Sequence, residues 1–129
     1  MVRYRTAYVI ATGGKLPFFW RFLDKEIGHI ALIMRDVNGS YVLLDPRQGG
    51  LQPLVIRCCA NDKQLGEFFR KHNYKIIKLR NYRQDRFLFG RPAYCSCVSF
   101  IKHALGIWSW AITPRQLWYK LIKDGAIKL

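Results

Sequence analysis

Hydrophobic positions fall in short runs broken by glycine, proline and charge, and their period changes several times along the chain. Residues 3–11 alternate weakly and are rich in Tyr, Val and Ile, which predicts a strand ending at Gly13-Gly14. Pro17 opens a short aromatic helix, PFFWRFLDKE, closed by Gly28. The runs HIALIMRD and YVLLDPR are separated by VNGS. Asn38-Gly39 is a strong two-residue turn signal, so the two runs are expected as antiparallel neighbours. PLVIRC, after the Gly49-Gly50 turn, is a third short strand.

Beyond it the period lengthens. Asn61 or Asp62 can cap a helix over KQLGEFFRKH, and YKIIKLRNY then alternates as a strand. RQDRFLFGRP reads as strand or loop. A helix starting near Cys97 stops at Gly106. Thr113 caps the last helix, TPRQLWYKLIKD, with Pro114 at its first position and Gly125 after its end. Strands in a run with helices towards the ends predict an α+β fold, an antiparallel sheet with helices packed on it. No linker, repeat or low-complexity tract divides residues 1–129, so one domain is expected.

Composition narrows this picture. Half the residues are hydrophobic and 19 are Phe, Trp or Tyr, which excludes a disordered chain. The 22 Lys+Arg against 8 Asp+Glu give a net charge of +14, spread along the whole chain. A field of that sign favours anionic partners: nucleic acid, an acidic membrane surface or an anionic cell-wall polymer. The apolar run Ala7 to Ala11 is too short for a signal-peptide core, and no stretch is uninterrupted enough to span a bilayer. A soluble chain made in the cytoplasm, with no transmembrane segment, is the expectation. Cys58, Cys59, Cys95 and Cys97 form two close clusters, which reads as free thiols in a reducing compartment.

The second cluster carries the candidate chemistry. Counted from Cys97, the residues Phe100, Ile101, Ala104 and Leu105 fall on one helix stripe with it. The thiol therefore sits in the first turn, where unpaired N–H groups and the helix dipole stabilise a thiolate and can hold an oxyanion. The competing reading is a small buried hydrophobe. Cys95 precedes the helix, lies off its stripe and reads as structural. A thiolate nucleophile needs a base. His103 lies about 240° round the helix from Cys97, and His72 ends a polar helix as a solvent-facing cation. His29 opens the strand HIALIMRD, directly after Gly28.

A third group would have to orient that imidazole. With Asn38-Gly39 as the two turn residues, His29 faces Gln48 and Leu32 faces Asp45. Asp45 is the only acid near this part of the sheet, yet this register turns it to the opposite face from His29. A bulge or a loop one residue longer would bring it round. Chemistry favours Asp45 and ideal geometry favours Gln48.

PFFWRFLDKEIGHIALI, YVLLDPRQGGLQPL, CVSFIKHALGI and the closing TPRQLWYKL together resemble the circularly permuted branch of the papain-like NlpC-type thiol hydrolases. Relatives include lecithin:retinol acyltransferase-like proteins and small bacterial and phage amidohydrolases. The likeness covers roughly residues 10–122 and is greatest to bacteriophage-encoded members. It implies a permuted papain-like fold with Cys97 as nucleophile, His29 as base and Asp45 as the orienting group. It implies no cofactor. The substrate would be a peptide or amide bond, plausibly in cell-wall peptidoglycan.

Many relatives use a tyrosine near the oxyanion; Tyr94 or Tyr8 would have to stand in for it here. Gln48, Tyr94 and Trp20 are the candidate binding residues, Trp20 as part of the aromatic cluster Phe18, Phe19, Trp20 and Phe22, which serves equally as core. The resemblance implies synthesis in a host bacterial cytoplasm and allows carriage in a virion. Members of such families also lose activity, so a non-catalytic virion protein binding DNA or another virion protein through its basic surface is the alternative. Acyl transfer on lipids is a third reading.

Two other patterns are weaker. Four thiolates at Cys58, Cys59, Cys95 and Cys97 lack the two-residue spacing that structural zinc prefers, and no metal is expected. Arg70 to Arg91 carries eight Lys/Arg against Asp85 alone, interleaved with aromatics. Single-stranded nucleic acid would suit it, but alternation in YKIIKL explains it as a solvated strand face.

Overall fold

A computed structural model describes residues 3–12, 28–35, 39–47, 50–84, 97–105, 107, 109–111 and 113–129. The described residues form an α+β structure. Its elements are β1 (Arg3–Thr12), β2 (His29–Arg35), β3 (Tyr41–Arg47), β4 (Gly50–Ile56), α1 (Asp62–Lys71), β5 (Lys75–Gln84), α2 (Cys97–Leu105), α3 (Pro114–Lys123) and β6 (Ile127–Lys128). The aromatic helix expected after Pro17, most of RQDRFLFGRP, and Trp20, Gln48, Tyr94 and Cys95 lie outside the described residues.

All six strands join one antiparallel sheet in the order β4-β3-β2-β1-β5-β6. The apolar runs Ala7–Ala11 and Ile30–Ile33 are buried at every position because helices cover both faces of the central strands. On one face, Val9, Leu32 and Ile77 pack against Ile101, Leu105, Leu117 and Trp118 of α2 and α3. On the other, Ile10, Ile33 and Ile76 pack against Leu65 and Phe69 of α1. At the edge, β4 carries Pro53 and exposes Leu54 and Val55, as an outer strand can.

The helix boundaries follow the capping chemistry. Asn61 caps α1, accepting from the Gln64 amide at 2.9 Å, while the Gln64 side chain accepts from the Ala60 amide at 2.8 Å. Thr113 and Gln116 form a reciprocal capping box at the start of α3, with Pro114 at the first helical position. Between α2 and α3, the Lys102 ammonium donates to the carbonyls of Ser109 and Ala111 at 3.0 and 2.9 Å, fixing the turn that lets α3 follow α2 onto the same face.

The hairpin register differs from the two-residue expectation. Leu32 pairs with Leu44, not Asp45, and the last described pair is Arg35 with Tyr41. Five positions, 36–40, therefore lie between the paired ends. Gly39 has φ of 82°, the left-handed region that glycine enters without steric cost. A slip of one residue reverses the face of every side chain in the partner strand. Continued towards the start of β2, the observed register sets Asp45 opposite Ala31 and on the same face as His29.

Candidate active site

His29 stands where two strands end together. It is the first residue of β2, paired with Thr12, the last residue of β1, and the Gly28 amide donates to the Thr12 carbonyl at 3.0 Å. The imidazole thus projects at the sheet's end, on the α1 face. Asp45 comes from β3 as its diagonal neighbour, and its Oδ1 lies 2.7 Å from His29 Nε2. The two side chains are 30 % and 15 % exposed, so water only partly competes for this bond.

Cys97 arrives from the opposite layer. It is the first residue of α2, whose buried Phe100, Ile101, Ala104 and Leu105 seat the helix on the other face of the sheet. The half-buried thiol packs at the edge of that core and is the main influence raising the pKa of the His29 imidazole. An imidazole has two nitrogens; with Nε2 turned to Asp45, Nδ1 is the one left for sulfur. Cys97 thereby holds the imidazolium above the usual histidine value; burial opposes this, and the bond to Asp45 adds to it.

Carboxylate and imidazole are therefore hydrogen-bonded, and the thiol that influences the same ring stands at a helix start. Asp45 accepting from Nε2–H selects the tautomer whose Nδ1 is free to take the thiol proton. The observed register brings the carboxylate of Asp45 to the ring, while Gln48, the orienting group favoured by the ideal two-residue turn, lies outside the described residues. Tyr8 does not serve the oxyanion: its ring is buried and its hydroxyl donates to Asp62 at 2.5 Å, at the start of α1. Nor do the vicinal cysteines join the site. Cys58 and Cys59 follow β4, with sulfurs 3.7 Å apart, and burial pushes the Cys59 thiol up to about 11. Among the described residues no group of three or more His, Cys, Asp or Glu is placed to hold a metal ion.

Beside the imidazole, a cavity of about 390 Å³ opens between the sheet and the C-terminal end of α1. His29 and Asp45 form part of its wall, with Thr12 at the strand end. Its remaining described lining includes Ile10, Ala31 and Leu43 from the sheet, then Phe68, Phe69 and Tyr74. His72, the C-cap of α1, completes the rim with its ring 4.8 Å from that of Phe68. His72 is exposed at the helix end, as the sequence predicts, and lines the cavity rim as well. Its distance in sequence from both His29 and Asp45 leaves no local signal for it.

A separate cluster secures α1 to the sheet. Asp62, in the first turn, accepts hydrogen bonds from Tyr8, Tyr41 (2.7 Å) and Lys78, while Arg35 donates to the Tyr41 hydroxyl at 2.6 Å. Burial disfavours the charged carboxylate, but these donors outweigh it and hold the Asp62 carboxyl at about 2. No family model, curated protein or solved structure matches the chain.

Proposed function

We propose that the protein is a cysteine hydrolase of amide or peptide bonds, built on a permuted papain-like scaffold in which the histidine strand precedes the cysteine helix. The Asp45–His29 hydrogen bond, with Cys97 as the main influence on the same imidazole, supports this reading more than any other feature. His29 takes the thiol proton, and the sulfur attacks the scissile carbonyl to form a tetrahedral oxyanion. N–H groups in the first turn of α2 are the natural donors to that oxyanion. The intermediate collapses as the C–N bond breaks, and the imidazolium gives its proton to the leaving amine. Water, deprotonated by His29, then attacks the thioester; the C–S bond breaks, releasing the acid and restoring the thiol.

Peptidoglycan peptide is the substrate the resemblance suggests, and the net charge of +14 would concentrate the protein at anionic wall polymers. The chemistry is tested by mapping iodoacetamide alkylation onto individual cysteines by mass spectrometry. Near pH 6, Cys97 is expected to react at least about tenfold faster than Cys58, and His29→Ala should remove that advantage. Equal rates at the two cysteines would overturn the reading and leave a charge-driven binding module, carried in a virion or not, in its place.

A further inference from the structure

We infer that the cavity between the sheet and the end of α1 is a subsite for an apolar or aromatic residue on the amine side of the scissile bond. The inference rests on the hydrolase reading above and adds the side and chemistry of the substrate that it leaves open. Its first support is position. The imidazole that Cys97 influences is held by Asp45, and the two side chains line the cavity together. During acylation Nδ1 of the same imidazolium must reach the departing nitrogen, so the leaving amine lies against the ring and the residue that carries it is the part of the substrate nearest the cavity the ring lines.

The second support is chemistry. In a chain of net charge +14, no Lys or Arg is found among the described lining residues. Ile10, Ala31, Leu43 and Phe69 make an apolar floor, with Phe68 and Tyr74 as aromatic walls. Phe68 is half-buried on a helix whose other partly or fully exposed residues are polar, and its ring meets Phe69 and His72 edge-on at 5.2 and 4.8 Å. At about 390 Å³ the space suits one large side chain and lies within the roughly 300–1,000 Å³ typical of ligand pockets. With no Lys or Arg among the described lining residues, an acidic occupant would find no ammonium or guanidinium partner there.

Acyl-enzyme partitioning tests this directly. The full-length protein is acylated with p-nitrophenyl acetate, and acetyl-Cys97 is verified by mass spectrometry. Amino-acid amides then compete with water: the amine nitrogen attacks the thioester carbonyl, His29 accepts its proton, the C–S bond breaks and an N-acetyl amide leaves. By microscopic reversibility the amine that captures the acyl group occupies the leaving-group subsite. Phenylalaninamide or leucinamide should capture acetyl at least about tenfold better than glycinamide, and the α-amide of glutamic acid no better than glycinamide.

In Phe68→Ala the preference should shrink to within about threefold; being a ratio within one protein, it is independent of the amount folded. Flat selectivity in an enzyme that does form acetyl-Cys97 would overturn the subsite alone, as would full selectivity retained by Phe68→Ala. Failure to form acetyl-Cys97 would overturn the nucleophile assignment, and the subsite with it.

Discussion

At the scale of single residues, the bond between His29 and Asp45 is a device for setting both a tautomer and a charge. Asp45→Asn keeps an oxygen acceptor but removes the negative charge, so the imidazolium loses one of its two supports. The His29 midpoint, followed by the ring C–H signals in NMR, is expected to fall in this variant, and further in Asp45→Asn/Cys97→Ser. Stability carries the same signature. Because the folded-state value lies above the unfolded value of about 6.5, protonation stabilises the fold fully below that pH. The contribution is lost as pH rises through the raised value. The melting temperature of wild type should therefore decline as pH rises above about 6.5, with a flatter profile in His29→Gln.

Among the elements, α1 has the most to lose from one substitution. Its first turn is tied to β1, β3 and β5 through a single carboxylate, which accepts from Tyr8, Tyr41 and Lys78. The tyrosine rings meet edge-on at 5.5 Å, and the Arg35 guanidinium lies 4.6 Å above Tyr41. Asp62 is depressed to about 2, so its stabilisation is present above the unfolded carboxylate value of about 3.9 and is lost as pH falls towards 2. Discounted for partial solvent screening, this amounts to about 1–2 kcal/mol. Acid titration of stability, by denaturant unfolding at fixed pH values, should show a loss of that size in wild type. Asp62→Asn should be less stable at neutral pH and show little further loss between pH about 4 and 2. Since α1 also supplies Phe68 and Phe69 to the cavity, the variant links the stability of one helix to the shape of the site.

For the molecule as a whole, the sheet acts as a partition with the site at its end. Asp45 and His29 project on the α1 face, whereas Cys97 belongs to the α2 layer, so the three meet only where β1 stops and β2 begins. Charge works over a longer range. The excess of 14 positive charges attracts polyanions over roughly the Debye length, about 10 Å at 0.1 M salt, whereas the His29–Asp45 hydrogen bond is partly shielded from solvent. Turnover of insoluble wall material should therefore fall steeply between low and high salt, while hydrolysis of p-nitrophenyl acetate changes little. Parallel salt dependence of the two rates would tie the charge to the chemical step instead of to encounter.

Much of the architecture was legible in the pattern of side chains. The alternation of residues 3–11 and of YKIIKLRNY, the apolar run after Gly28, and the caps at Asn61 and Thr113 are local, because strand pleat, helix stripe and capping hydrogen bonds involve neighbours a few positions apart. The placement of Cys97 in a first turn, on the stripe of Phe100 and Ile101, is local for the same reason. Two things were decided only by the fold. Hairpin register depends on how many residues the turn consumes, and a shift of one residue carried Asp45 from the far face to the imidazole. The cavity brings Ile10, Leu43 and Phe68 together from three elements, and only the packing of α1 on the sheet, secured by Asp62, sets His72 and His29 around one cavity.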